Sequence, residues 1–283
     1  MPIDPASGPI LEFEKVSLRY GDSWALRDIS LTLNPGETRI IFGAAGSGKT
    51  TLLKAVIGLV DVDEGRIRLF GQEVTSLRES QRFGLRSGAG VLFQEGGLFD
   101  SLSVGENVQY PLLNRQHGDA EISLEDAEKR VREALRFVEL EQTFDKFPAE
   151  ISGGMRRRVG IARAIVTEPP LVLYDSPTAC LDPITANLIM ALVAKERDVR
   201  NSASLIVTHR YQDGEIMSDF RYDPEREELL HLNGAADARK RDRTKFIVMK
   251  EGQIVFFGTR QDLEKSTDEY VKRFVRHEEN HAQ

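Results

Sequence analysis

The chain has 283 residues, 40% hydrophobic and 29% charged, enough to bury a sizeable core in one large domain or in a domain with a subdomain. Its formal net charge of −7 excludes a general nucleic-acid binder, and its single cysteine, Cys180, excludes an internal disulfide framework and suits a reducing compartment. No apolar run reaches the roughly 18 residues of a membrane span, and the opening MPIDPASGPI lacks the basic and apolar regions of a secretory signal, so any transport role calls for separate membrane subunits.

Leu11 to Leu18 roughly alternates apolar and polar residues, as a half-buried strand does. Ile29 to Leu33 reads as a second strand, closed by the turn Asn34-Pro35-Gly36. Thr38 to Phe42 is a short apolar run entering a glycine-rich loop, and Thr50 to Ile57 suits a helix that Gly58 can end. Ser101 to Thr167 is mostly helical in pattern, with Leu124 to Leu140 charged and amphipathic. Leu171 to Tyr174 and Ser204 to Val207 are short apolar runs of the kind found in buried parallel strands, and their alternation with helices implies an α/β core. Phe246 to Met249, the turn Lys250-Glu251-Gly252-Gln253 and Ile254 to Phe257 predict a hairpin. Tyr211 to Thr244 is highly charged and weakly patterned and reads as a solvated loop, although Arg239-Lys240-Arg241-Asp242-Arg243 within it also suits anionic lipid headgroups. Tyr270 to Val275 has amphipathic spacing and is expected to dock on a partner subunit.

The strongest motif is Gly43-Ala44-Ala45-Gly46-Ser47-Gly48-Lys49-Thr50, which fits G-x-x-x-x-G-K-[ST] between a strand and a helix and is followed by Thr51. Small residues let backbone N–H groups close around phosphate oxygens, and the helix N-terminus adds partial positive charge. In this motif Lys49 reaches the β- and γ-phosphates of ATP while the Thr50 hydroxyl ligates Mg²⁺. A phosphate loop alone is shared by kinases, GTPases, helicases and transport ATPases. Ile151-Ser152-Gly153-Gly154-Met155 and then Leu171-Val172-Leu173-Tyr174-Asp175-Ser176-Pro177-Thr178-Ala179-Cys180-Leu181-Asp182 narrow the choice.

With these segments in this order the chain resembles the ATP-binding cassette family. The resemblance implies an α/β fold: a P-loop NTPase (RecA-like) core with an N-terminal antiparallel β subdomain and an inserted α-helical subdomain. It implies a homodimer in which Ser152, Gly153 and Gly154 of one copy face the phosphate loop of the other across ATP. Asp175 takes the Walker B place and holds Mg²⁺, and Asp182 takes the D-loop place that communicates across the dimer. Gln94 matches the glutamine that contacts Mg²⁺ or water, and His209 matches the histidine that contacts the γ-phosphate. Tyr20 matches the aromatic that stacks on adenine; a strand-end tyrosine is equally compatible with core packing. The chain departs from the family at Ser176, where a glutamate normally polarises the attacking water. A hydroxyl cannot accept a proton as a carboxylate does, so slow turnover and a persistent ATP-bound dimer are expected.

A finer resemblance is to the ATPases of Mla/Mce-type lipid transporters. It rests on Gln94-Glu95-Gly96-Gly97-Leu98-Phe99, on Val104, Asn107-Val108 and Tyr110-Pro111-Leu112, on Gly153-Gly154-Met155 with Arg157-Arg158, and on Asp182-Pro183-Ile184-Thr185. It implies integral membrane permease subunits, lipid-binding transport components and a peripheral position on the cytoplasmic face of the inner membrane. Leu98, Phe99 and Leu102 are expected to receive a coupling helix of the permease. The expected layout is one nucleotide-binding domain over 8–275, with a helical subdomain at about 95–167, an atypical charged insertion at 211–244 and a tail at 276–283. Other importer or exporter ATPases, and a slow nucleotide switch unconnected with transport, remain alternatives.

Overall fold

The computed structural model of the chain describes residues 8–93, 96–114, 122–232, 237 and 241–275. Alternation at the amino terminus builds β1 (Leu11–Tyr20), which buries Leu11, Phe13, Val16 and Leu18 and pairs antiparallel with β2 (Ser23–Leu33). Both strands are longer than the sequence pattern predicts. The turn at Asn34 is closed by the Glu37 N–H donating to the Asn34 carbonyl, and β3 (Thr38–Gly43) follows, buried throughout. The phosphate-loop motif then leads into α1 (Lys49–Val56). β4 (Glu64–Leu69) and β5 (Gln72–Glu73), neither legible as a strand in the sequence, complete an antiparallel sheet of order β2-β1-β4-β5. α2 (Glu79–Arg86) returns the chain to β6 (Ala89–Leu92).

The helical region consists of α3 (Val104–Leu113), α4 (Leu124–Phe137) and α5 (Gly153–Ile165). Each begins at a serine whose hydroxyl accepts a backbone N–H of the first turn: Ser103, Ser123 and Ser152. The fully buried Asn107 side chain accepts from the Phe99 N–H and donates to the Phe99, Leu102 and Ser103 carbonyls, so it folds the segment before α3 onto that helix.

β7 (Leu171–Asp175), α6 (Pro183–Arg200), β8 (Ala203–Val207) and α7 (Tyr211–Asp219) alternate as the apolar runs predict. The expected loop from Tyr211 to Thr244 is corrected here. It opens with α7 and continues as an antiparallel hairpin of β9 (Phe220–Asp223) and β10 (Glu228–His231). The hairpin is fastened to α6: Arg197 donates to the Met217 and Phe220 carbonyls, and Asp198 accepts the Tyr222 N–H. Of the basic stretch within that segment, Arg239 and Lys240 lie outside the described residues.

β11 (Thr244–Lys250) and β12 (Gln253–Gly258) form the predicted hairpin and complete a six-stranded sheet of order β12-β11-β3-β8-β7-β6, parallel except for β12. Successive side chains point to opposite faces, so the sheet feeds two cores. Ile40, Phe42, Val172, Tyr174 and Ile206 pack with the helical region and α6, whereas Ile41, Leu173 and Leu205 pack with α1 and the antiparallel sheet. The chain ends, as far as it is described, in two short helices, α8 (Arg260–Glu264) and α9 (Glu269–Lys272). Within the chain the apolar side of Tyr270 to Val275 packs on its own core: Val271 is buried, and Phe274 stacks on Phe42 with ring centroids 6.1 Å apart.

Candidate functional site

The site forms where β3 leaves the parallel sheet. Gly48 has φ +101°, and a Cβ there would lie 2.2 Å from the Ala25 carbonyl oxygen, so only glycine lets the loop pass beneath the β2 backbone before α1 starts. Lys49 is 7% exposed, and its ammonium donates to the Gly43 and Ala44 carbonyls, 2.8 Å each. Burial lowers its pKa, and the carboxylate of Asp175 partly offsets that. Thr50 Oγ1 donates to Asp175 Oδ2 at 3.1 Å, bringing together the hydroxyl and the carboxylate singled out as metal ligands.

Ser176, beside Asp175, has φ +53°, and its hydroxyl donates to Asp175 Oδ1 at 3.2 Å. His209 follows β8. Burial and then the Lys49 ammonium hold its imidazole below the usual 6.5, with Asp175 pulling the other way. Tyr20 is 55% exposed and lines the same cavity, of about 300 Å³, as residues 46–51. At that exposure Tyr20 is not a core residue. Trp24 lines it too, with the Arg19 guanidinium 3.7 Å from its ring centroid. Sequence reasoning passed over Trp24. The hairpin register pairs Tyr20 with Ser23 and Arg19 with Trp24, so the tight turn at Gly21-Asp22 was the available signal.

The cavity is not lined by Ser152, Gly153, Gly154 or Asp182. Those residues gather elsewhere, at the adjoining N-termini of α5 and α6. Ser152 Oγ accepts from the Met155 N–H at 3.2 Å, and Asp182 Oδ1 accepts from the Thr185 N–H at 3.0 Å. A Cβ on Gly154 would meet Thr185 Cγ2 at 2.8 Å. Two arginines unremarked in the sequence as ties hold neighbouring loops to α5. Arg157 donates to the Ala179 carbonyl, and Arg163 donates to the Gly96 and Gly97 carbonyls. Gln94 lies outside the described residues.

A further link was invisible in the motif spacing. The buried Asp213 Oδ2 accepts from Thr178 Oγ1 and Thr208 Oγ1, 2.5 Å each, while Arg210 stands 3.2 Å from Oδ1. Burial raises this carboxyl's pKa, opposed by the two hydroxyl donors and by Arg210. Asp213 thereby ties the loop after β7 to the residue preceding His209. Near α3 one expectation is corrected: Leu98 packs against the chain's own core, leaving Phe99 exposed with Tyr110, their ring centroids 4.8 Å apart. The apolar Leu98 directly follows Gly96 and Gly97, whose carbonyls are held by Arg163.

A family model described as ABC transporter matches residues 26–179, more than half of the chain. The chain belongs to the ABC transporter family. Among its relatives, the probable ribonucleotide transport ATP-binding protein mkl of Mycobacterium tuberculosis is 34% identical over 212 residues, covering 75% of this chain and 58% of that protein. The methionine import ATP-binding protein MetN of Corynebacterium efficiens is 38% identical over 188 residues, covering 66% of this chain and 51% of that protein. The chain thus spans little more than half the length of these ABC relatives. Among solved structures, the dimeric ATP-binding cassette MJ0796 bound to ADP and Pi superposes with a TM-score of 0.72 at 28% identity, covering 88% of this chain and 98% of that one. cbiO1 from Clostridium perfringens, part of the ABC transporter complex cbiONQ, does so with a TM-score of 0.71 at 26% identity, covering 95% of each chain. The α/β cassette fold, with its antiparallel sheet and helical region, is therefore that of ABC ATPases. No helix among the described residues is long and apolar enough to cross a membrane.

Proposed function

We propose that this chain is the ATP-binding and ATP-hydrolysing subunit of a bacterial ABC transporter, a single nucleotide-binding domain over residues 8–275 that works as a homodimer on integral membrane permease subunits at the cytoplasmic face of the inner membrane. The observation that carries the reading is the contact between Thr50 Oγ1 and Asp175 Oδ2, which joins residues 125 positions apart at the start of α1. One hydroxyl and one carboxylate are the hard oxygen donors that Mg²⁺ takes when substrate phosphates and water complete its octahedron. Mg²⁺ bound there would neutralise charge on the β- and γ-phosphates. Lys49 would exchange the Gly43 and Ala44 carbonyls for those phosphates, and the N–H groups at the start of α1 would hold them. Tyr20 and Trp24 would offer the adenine its platform. Ser152, Gly153, Gly154 and Asp182, absent from the cavity of their own chain, would serve the cavity of the second copy.

Turnover is slow in this reading. The Ser176 hydroxyl is spent on Asp175 and cannot take a proton from water, and general-base help is commonly worth ~10²–10⁴-fold. Positioning and charge stabilisation remain, so hydrolysis is retained. Loss of a carboxylate near the γ-phosphate removes a repulsion, which favours a long-lived ATP-bound dimer. His209, its pKa lowered by burial and then by the Lys49 ammonium, would contact the γ-phosphate, and by its place in the motif order Gln94 would contact Mg²⁺ or water.

The cargo is phospholipid moved between membranes of the cell envelope. Support comes from the sequence markers around Gln94 to Leu112 and Asp182 to Thr185, and from the exposed pair Phe99 and Tyr110 as a permease-facing surface. The relatives' names point to ribonucleotide and to methionine. Affinity purification of the tagged chain from its own membranes tests the reading. A multi-span permease and phospholipid should accompany it. Recovery as a free homodimer without a permease would instead favour a nucleotide switch, the second reading that Ser176 keeps open.

A further inference from the structure

We propose that Tyr270 is a positioning residue for the phosphate loop, its hydroxyl completing the hydrogen-bonded edge from which the loop departs. The parallel pairing of β3 with β11 ends at Gly43 opposite Met249. The next rung is not made strand to strand. The Ala44 N–H donates instead to the Tyr270 hydroxyl at 3.2 Å, and that hydroxyl donates to the Met249 carbonyl at 3.0 Å. One oxygen, supplied from 226 residues away, splices the loop to the sheet.

The oxygen is held firmly. The Tyr270 ring meets Phe274 edge-on at 5.3 Å, Phe274 stacks on Phe42 at 6.1 Å, and Lys250 Nζ lies 5.2 Å from the Tyr270 ring centroid. The neighbouring Val271 is buried to 1% exposure in the core. The same segment therefore touches Phe42 with a ring and Ala44 with a hydroxyl, on either side of Gly43.

Ala44 has three tethers: its N–H donates to Tyr270, and its carbonyl accepts from Lys49 Nζ at 2.8 Å and from the Ser47 N–H at 3.2 Å. When Lys49 turns to a phosphate, the turn bond from Ser47 remains within the loop, and Tyr270 remains the side-chain tie of Ala44 to the sheet. A loop still fixed at its first residue is preorganised for the nucleotide; without the hydroxyl it must be ordered on binding. This inference rests on the nucleotide site proposed above.

The test uses the full chain and MgADP as the probe, with binding followed by calorimetry. Tyr270→Phe keeps the ring contacts and removes one oxygen. Its Kd should rise about 3- to 10-fold, the range of one net hydrogen bond, and exchange of the Ala44 amide hydrogen should quicken in the nucleotide-free protein. Val271→Ala is the structural control: it should lower the unfolding midpoint while leaving the Kd within about twofold. A Tyr270→Phe protein with unchanged Kd and unchanged Ala44 exchange would overturn the proposal. So would a Val271→Ala loss of affinity equal to that of Tyr270→Phe, since general docking of the segment would then be the cause. Failure of the unsubstituted chain to bind MgADP would overturn the nucleotide site itself.

Discussion

Glu196→Gln replaces a carboxylate that the fold buries completely in α6. Arg200 Nε stands 3.2 Å from Oε2, but neither carboxylate oxygen has a hydrogen bond, and the nearby Tyr174 hydroxyl is likewise buried without a partner. Burial drives the Glu196 pKa from 4.5 up to about 7; Arg200 opposes the shift and Glu168 adds to it. The folded state therefore binds the proton more tightly than the unfolded chain between those values. The stability this contributes is present below pH 4.5 and is lost as pH rises through about 7. A shift of that size corresponds to about 3 kcal/mol. Glutamine keeps the shape and has no charge to desolvate, and Arg200 retains Glu168 and the Ile165 carbonyl as partners. Urea unfolding from pH 5 to 8.5 should show the unsubstituted chain losing about 2–3 kcal/mol relative to Glu196→Gln across the interval, with the two nearly equal at the acid end. Parallel profiles would refute the argument, because the ionisation of Glu196 would then not be linked to folding.

Gly48→Ala should abolish measurable MgADP binding, since its Cβ meets the Ala25 carbonyl at 2.2 Å; Gly46→Ala, with φ +77° but nothing within 4 Å, should cost only the backbone strain of about 1 kcal/mol. Comparing the two by calorimetry separates crowding from strain, and equal losses would contradict the account. Asp182→Ala removes the cap of α6 and should lower stability by about 1 kcal/mol in urea unfolding, with Asp182→Asn close to the unsubstituted chain.

The phosphate loop and the strand before it were legible because both carry local requirements: small residues at fixed spacing, and apolar runs where a parallel strand is buried on both faces. Leu171 to Asp175 is buried at every position, and its sequence shows it. The hairpin of β9 and β10 was not legible. Its residues are all half-buried or exposed, its sequence is charged, and what holds it is a non-local set of bonds from Arg197 and Asp198. Tyr270 escaped for the same reason: amphipathic spacing reveals that a face is covered, without saying by what. Trp24 lay within reach of a register argument that a single-strand pattern does not contain. Ser176 needed no structure to stand out, and the structure adds that its hydroxyl is already committed to Asp175.

The most direct test of the central claim is the ATPase rate of the chain purified with its membrane partners, measured beside Ser176→Glu. The account predicts a slow native rate that the glutamate raises by about 10²-fold or more, with the ATP-bound dimer shortened in lifetime accordingly. A native rate equal to that of Ser176→Glu would contradict it.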